Sequence, residues 1–155
     1  MKRIYIASLL LLFSTGLARG ADIVGSARAL NGDTLELDGQ VVRLYGIQAP
    51  HPKQTCRTHK GQVQQCGQIA TLGLAALVRG PKIRCEAKGT NAQGEALAAC
   101  FVGWMNVAEE MVASGYAVAD PLTGADFQRA EAFAKARKEG LWRTEFTNPW
   151  EWVGE

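Results

Sequence analysis

The chain has little net charge, no Cys-x-x-Cys pair, and no apolar run long enough to cross a bilayer. Each absence closes off a class of function. Release of counterions from nucleic acid needs clustered positive charge, and the formal net charge here is only +2. Four-cysteine zinc sites favour closely spaced cysteine pairs. Here the gaps between Cys56, Cys66, Cys85 and Cys100 are 10, 19 and 15. A bilayer span needs about 20 consecutive apolar residues, and the apolar stretch Ile4 to Phe13 is well short of that. No paired acid–base carboxylate set for sugar chemistry is visible. No internal repeat or low-complexity segment appears.

What is present begins with a leader. Lys2 and Arg3 give a positive start, Ile4 to Phe13 is almost wholly apolar, and Ala18-Arg19-Gly20 places small residues where a signal peptidase reads. This is the pattern of a secretory signal peptide over residues 1–20, cut before Ala21. No cysteine stands at the cut, so no lipid anchor is expected, and no transmembrane anchor remains after cleavage. Residues 21–155 are enough for one compact domain with a real core, expected as a monomer in the periplasm or outside the cell. Without Lys2, Arg3 and Arg19, 14 basic side chains face 15 acidic ones. Bulk electrostatics therefore gives no support for a polyanion partner, although a local basic groove is compatible with it. An even cysteine count in an exported chain implies two disulfides, with three connectivities open. The preferred one joins Cys56 to Cys66 across a short polar loop and Cys85 to Cys100 between two strands.

Along the chain, Leu35 and Leu37 alternate with Thr34 and Glu36, and Asp38-Gly39 is a two-residue hairpin turn. That turn sets Thr34 opposite Arg43 and brings Asp33 near Arg43. Residues 51–66 are polar and read as a loop. From Gly67 to Val78, Ile69, Leu72 and Ala76 fall at helical spacing, and Gly80-Pro81 ends the helix. Two strands, Lys82 to Ala87 and Glu95 to Val102, flank the turn KGTNAQG. Asn106 to Ser114 is a short helix with Asn106 as cap, Glu109 three residues on, and Gly115 as stop. A last helix starts at Thr123 or Asp126, exposes Arg129, Lys135 and Lys138, buries Phe127, Ala130 and Ala134, and ends at Gly140. The tryptophan-rich tail is expected to pack on the core as a lid. Five strands, a helix after the third and two more helices describe a small α+β domain built on a closed sheet.

Four segments then carry a resemblance: Leu30-Asn31-Gly32-Asp33-Thr34; Val42-Arg43-Leu44-Tyr45-Gly46-Ile47; Val107 to Val112 with Gly115-Tyr116-Ala117; and Arg137-Lys138-Glu139-Gly140-Leu141-Trp142. In this order they resemble the staphylococcal nuclease (thermonuclease) family, from about residue 22 to Trp152. The four cysteines and the Pro149-Trp150-Glu151-Trp152 ending look like its exported, disulfide-bearing Gram-negative branch. The resemblance implies an OB-fold five-stranded β-barrel with three α-helices. It also implies hydrolysis of DNA and RNA phosphodiesters with one Ca²⁺.

That chemistry needs several oxygen ligands for a hard cation, a base, and cations for the phosphate charge. By family position Asp33 is a calcium-binding aspartate and Arg43 the first phosphate-binding arginine. The other positions depart from the pattern. Gln48 replaces the second metal carboxylate, His51 replaces the glutamate proposed as base, and Glu95 replaces the second arginine. A glutamate at that last position repels phosphate where an arginine would bind it. The residues therefore favour an exported domain that keeps the fold and lacks the calcium-dependent reaction, acting as a binding or scaffold module with no cofactor. The alternative is a phosphodiesterase rewired around Asp33, Arg43 and His51, with Ca²⁺ and nucleic acid as its partners. A third reading, with an envelope partner, is a role in the cell envelope or in exopolysaccharide production, since some bacterial relatives carry succinoglycan-related names. His59 is expected to face solvent, and Glu95 to pair with Arg43 if the emptied pocket is tied shut.

Overall fold

A computed structural model describes residues 22–80 and 82–154. The leader and its expected cleavage point lie outside the described residues. The first half of the chain forms strands β1 (Ile23–Gly25), β2 (Ala27–Ala29), β3 (Thr34–Leu37), β4 (Gln40–Leu44) and β5 (Ile47–Gln48). A small pair, β6 (Cys56–Thr58) and β7 (Val63–Gln64), precedes helix α1 (Cys66–Leu77). Then come β8 (Ile83–Thr90), β9 (Ala96–Val102), β10 (Met105–Asn106), α2 (Val107–Ala113) and β11 (Val118–Ala119). Helix α3 (Gln128–Arg137) and strand β12 (Thr144–Glu145) complete the set.

The main sheet is mixed, ordered β1-β8-β9-β4-β3-β2, with β4 and β9 parallel and the other neighbours antiparallel. Its two ends are β1 and β2, which only Ser26 separates. They are thus two halves of one interrupted strand, the first paired with β8 and the second with β3. The strand order closes on itself through that residue, giving the five-strand path expected of an OB-type barrel. Three helices pack around it in an α+β arrangement. The core gathers Leu35, Leu37, Leu44, Leu74, Ile83 and Met111, all at most 1% exposed.

Turn chemistry sets the register nearest the site. Asp38 (φ 45°) and Gly39 (φ 88°) both take the left-handed conformation that a tight two-residue hairpin demands. Thr34 consequently faces Arg43 across the ladder, as the sequence predicts. Asn106 caps α2 by accepting from the amides of Ala108 and Glu109. Both disulfides form in the preferred pairing, Cys56–Cys66 and Cys85–Cys100, the second between directly opposed residues of β8 and β9.

Several expectations need correction. Residues 51–66 are not all loop: β6 and β7 pair as a hairpin, and β12 adds to β6 as a third strand. The apolar face read on α1 is the wrong one. Ile69 and Leu72 are 41% and 69% exposed, whereas Cys66, Gly67, Ala70 and Leu74 are buried. Small residues decide this packing. A Cβ on Gly32 would sit 2.7 Å from that of Ala70, and one on Gly73 would meet the Tyr116 ring at 2.6 Å. Strand β8 continues to Thr90 through a bulge between Ala87 and Gly89, so the turn shrinks to Asn91–Glu95. Helix α3 begins after a 3₁₀ turn at Ala125–Phe127 and ends at Arg137, capped by Lys138 in the left-handed conformation (φ 55°), two residues before Gly140. Phe127, Ala130 and Ala134 are buried as expected.

The tail is only partly a lid. Trp142 packs edge-on to Phe146 beside a second apolar cluster of Cys56, Cys66, Val118 and Leu141. Trp150 is 43% exposed. Trp152 instead stacks on a residue of the candidate site.

Candidate functional site

Asp33 sits just before β3, in a turn fixed by its own amide donating to Asn31 Oδ1 at 2.9 Å. The residue is 3% exposed, and its carboxylate is fully engaged. Oδ2 accepts from Arg43 Nη2 at 3.0 Å and from the Ala49 amide at 2.9 Å, while Oδ1 accepts from the Thr34 hydroxyl at 3.0 Å. A buried carboxylate needs such donors, because an unpaired one is strongly penalised.

Arg43 has a partner on each arm. Nη1 reaches Glu95 Oε2 at 3.4 Å, on the far side from Asp33. Glu95 is aimed by Asn91, whose Nδ2 donates to the same oxygen at 2.6 Å and whose Oδ1 accepts the Glu95 amide at 2.9 Å. The guanidinium therefore lies between two carboxylates of the same chain.

Gln48, on β5, turns to a residue that the sequence reading missed. Strand β11 pairs Val118 with Gln48, which leaves Asp120 beside the glutamine amide, and Gln48 Nε2 donates to Asp120 Oδ2 at 2.5 Å. The other Asp120 oxygen accepts from the amides of Leu122 and Thr123 and from the Thr123 hydroxyl, each at 2.9 Å. Burial would push this carboxyl up. The donors, Gln48 foremost, outweigh it and hold the carboxylate below its ordinary range. The only trace of this in sequence is an aspartate before a proline, Asp120-Pro121, an ordinary turn signal.

His51 is exposed, and its Nδ1 accepts from the Lys53 amide at 3.2 Å, while its Nε2 has no hydrogen-bond partner among the described residues. Its ring stacks on Trp152 with centroids 4.6 Å apart and planes inclined by 18°. Beneath it lies Gln54, 1% exposed and also missed in sequence. Gln54 Oε1 accepts the His51 amide at 3.2 Å, and its Nε2 donates to the Thr147 carbonyl at 2.6 Å. One buried amide thus ties the site loop to the C-terminal tail. His59 is exposed and lies outside this group.

Asp33, Arg43, Gln48 and His51 line one depression of about 310 Å³, walled on one side by Trp152. Glu95 is not in that wall and enters only through Arg43. A second depression of about 490 Å³ lies beyond Arg43 and Gln48, and both residues line it as well.

The calcium ion that the resemblance implies does not fit this donor set. A hard cation wants several free oxygen ligands. Asp33 already accepts three hydrogen bonds, and Gln48 turns its amide nitrogen to Asp120. Among the described residues, no three His, Cys, Asp or Glu side chains gather where they could hold a metal ion.

The strand path, the helices around it and the Asp33–Arg43 hairpin define a nuclease-type OB domain. The family described as "Staphylococcal nuclease homologue" matches residues 41–144, and the chain belongs to it. The chain is also similar to a protein of Rhizobium meliloti (strain 1021) named "Succinoglycan biosynthesis protein ExoI". The two are 30% identical over 143 residues, which cover 90% of this chain and 74% of that protein.

Proposed function

We propose that this chain is a non-nucleolytic member of its family, exported by its leader to the periplasm or beyond and acting there as a binding module in the cell envelope. One observation carries the reading: the Arg43 guanidinium lies between Asp33 and Glu95. Phosphodiester hydrolysis needs uncommitted positive charge where the pentacoordinate phosphate develops its own negative charge. Here the cation already pairs with two carboxylates of its own chain, and an entering phosphate would have to compete with both. The name of the Rhizobium relative supports an envelope setting, and the two disulfides suit an oxidising compartment.

The test is digestion of DNA and RNA by the purified protein across a calcium titration. The expected outcome is no cleavage above buffer at any calcium concentration. Calcium-dependent cleavage that Arg43→Ala abolishes would overturn the reading.

A second reading, a metal-independent phosphodiesterase, draws on one feature: Asp33, Arg43 and His51 border the same depression, and His51 Nε2 has no hydrogen-bond partner among the described residues. Cleavage that persists in a chelator and is lost in His51→Ala would favour it.

A further inference from the structure

The two depressions meet at Arg43 and Gln48, which line both, so together they form one elongated cleft. Each lies in the size range of small-ligand sites, about 300–1,000 Å³. The ends differ in chemistry. Toward the tail, Trp152, Pro149 and Pro52 present apolar surfaces. Toward the β8–β9 turn, Asn91, Gln93, Thr90, Thr123 and Asp120 present amides, hydroxyls and a carboxylate.

Charge excludes several occupants. Arg43 is the one cation among the lining residues, and Asp33 and Asp120 line the cleft with it. An anionic ligand would face more negative than positive charge, and a cationic one would meet Arg43 at the junction. A peptide strand would need an open sheet edge to extend, but the nearby strands β5 and β11 are two residues long. A neutral, hydroxyl-rich chain fits both ends. Its hydroxyls both donate to and accept from the amides and hydroxyls at the polar end. Its flat C–H faces pack on tryptophan and proline.

We infer that this cleft binds a neutral oligosaccharide segment, with consecutive sugar units on either side of Arg43 and Gln48. The inference rests on the reading above, that the site does not cut nucleic acid, and it supplies the ligand class.

Amide NMR shifts of the purified protein, titrated separately with short cello-, laminari- and gentio-oligosaccharides, test it. The expected result is saturable binding of at least one series at millimolar concentration or tighter. The shifts should fall on residues 46–52, 91–95 and 120–123. Gln93→Ala, an exposed change that leaves the fold alone, and Asp120→Asn should each weaken binding about threefold or more. No saturable binding of any series, or binding that both variants leave untouched, overturns the inference. A parallel arm with single-stranded DNA and calcium separates the two ideas. Cleavage there sinks the proposed function, whereas absence of both cleavage and sugar binding sinks only the ligand class.

Discussion

Arg43 and Asp33 are ten residues apart in sequence, and the guanidinium lies 3.0 Å from the carboxylate. The Asp38-Gly39 turn makes this contact by setting Thr34 opposite Arg43. Because Asp33 is buried and Arg43 is about one-third exposed, the pair loses more when Asp33 is removed than when Arg43 is. Asp33→Ala leaves the guanidinium, the Ala49 amide and the Thr34 hydroxyl without their acceptor. The expected cost is about 3 kcal/mol in urea unfolding, near the low end for a broken buried pair because solvent reaches the arginine. Asp33→Asn keeps the shape and one acceptor oxygen, and should cost about half as much.

Glu95 holds the second arm of Arg43, and its removal should release that arm. Glu95→Ala is expected to raise affinity for a short oligonucleotide about threefold to tenfold at low salt, with the gain fading as salt rises. Glu95→Arg combined with Gln48→Asp and His51→Glu should bring calcium-dependent cleavage above background. A folded triple variant that binds calcium yet cleaves no faster than its parent would show that these three positions do not control cleavage.

Asp120 gives a pH signature. Its folded pKa is depressed, because hydrogen bonds from Gln48, Leu122 and Thr123 outweigh its burial. A depressed carboxyl stabilises the fold above its unfolded pKa, about 4, and that contribution is lost as pH falls through the lower folded value. The stability difference between the parent and Asp120→Asn should therefore be full at neutral pH and shrink below about pH 4. Urea midpoints measured from neutral to acid pH check this, and a difference that grows on acidification would contradict it.

Gly67, at the start of α1, sets steric fit against helix propensity. Alanine is worth about 1 kcal/mol over glycine in a helix interior, but a Cβ here would stand 1.8 Å from the His51 carbonyl oxygen. The clash is with backbone and cannot be relieved by a rotamer. Gly67→Ala should destabilise by about 2 kcal/mol net, read from urea unfolding, and should shift the amide signals of residues 51–54.

Contacts set by a turn were legible in the sequence, and contacts set by folding over long distances were not. Asp38-Gly39 leaves one register for its hairpin, so the approach of Asp33 to Arg43 could be read directly. Asn106 as a cap and the cysteine pairing are similarly local or nearly so. The Gln48–Asp120 pair spans 72 residues and forms because β11 docks on β5, which a two-residue strand does not announce. The same holds for Trp152 on His51 and for Gln54 reaching Thr147. On α1, Ile69, Leu72 and Ala76 gave a helical period but the wrong face. Close approach of the backbone at Gly32 and Gly73 favoured small residues over large ones in the seam.

The seam at Ser26 also governs the order of assembly. The segment from Ile23 to Ala29 is the first part of the ring to be synthesised. Its two halves pair with β3, next in the chain, and with β8, whose paired residues are Ile83 to Cys85. The hairpins can form early, but the circle waits until well over half of the chain exists. Such distant pairing slows folding.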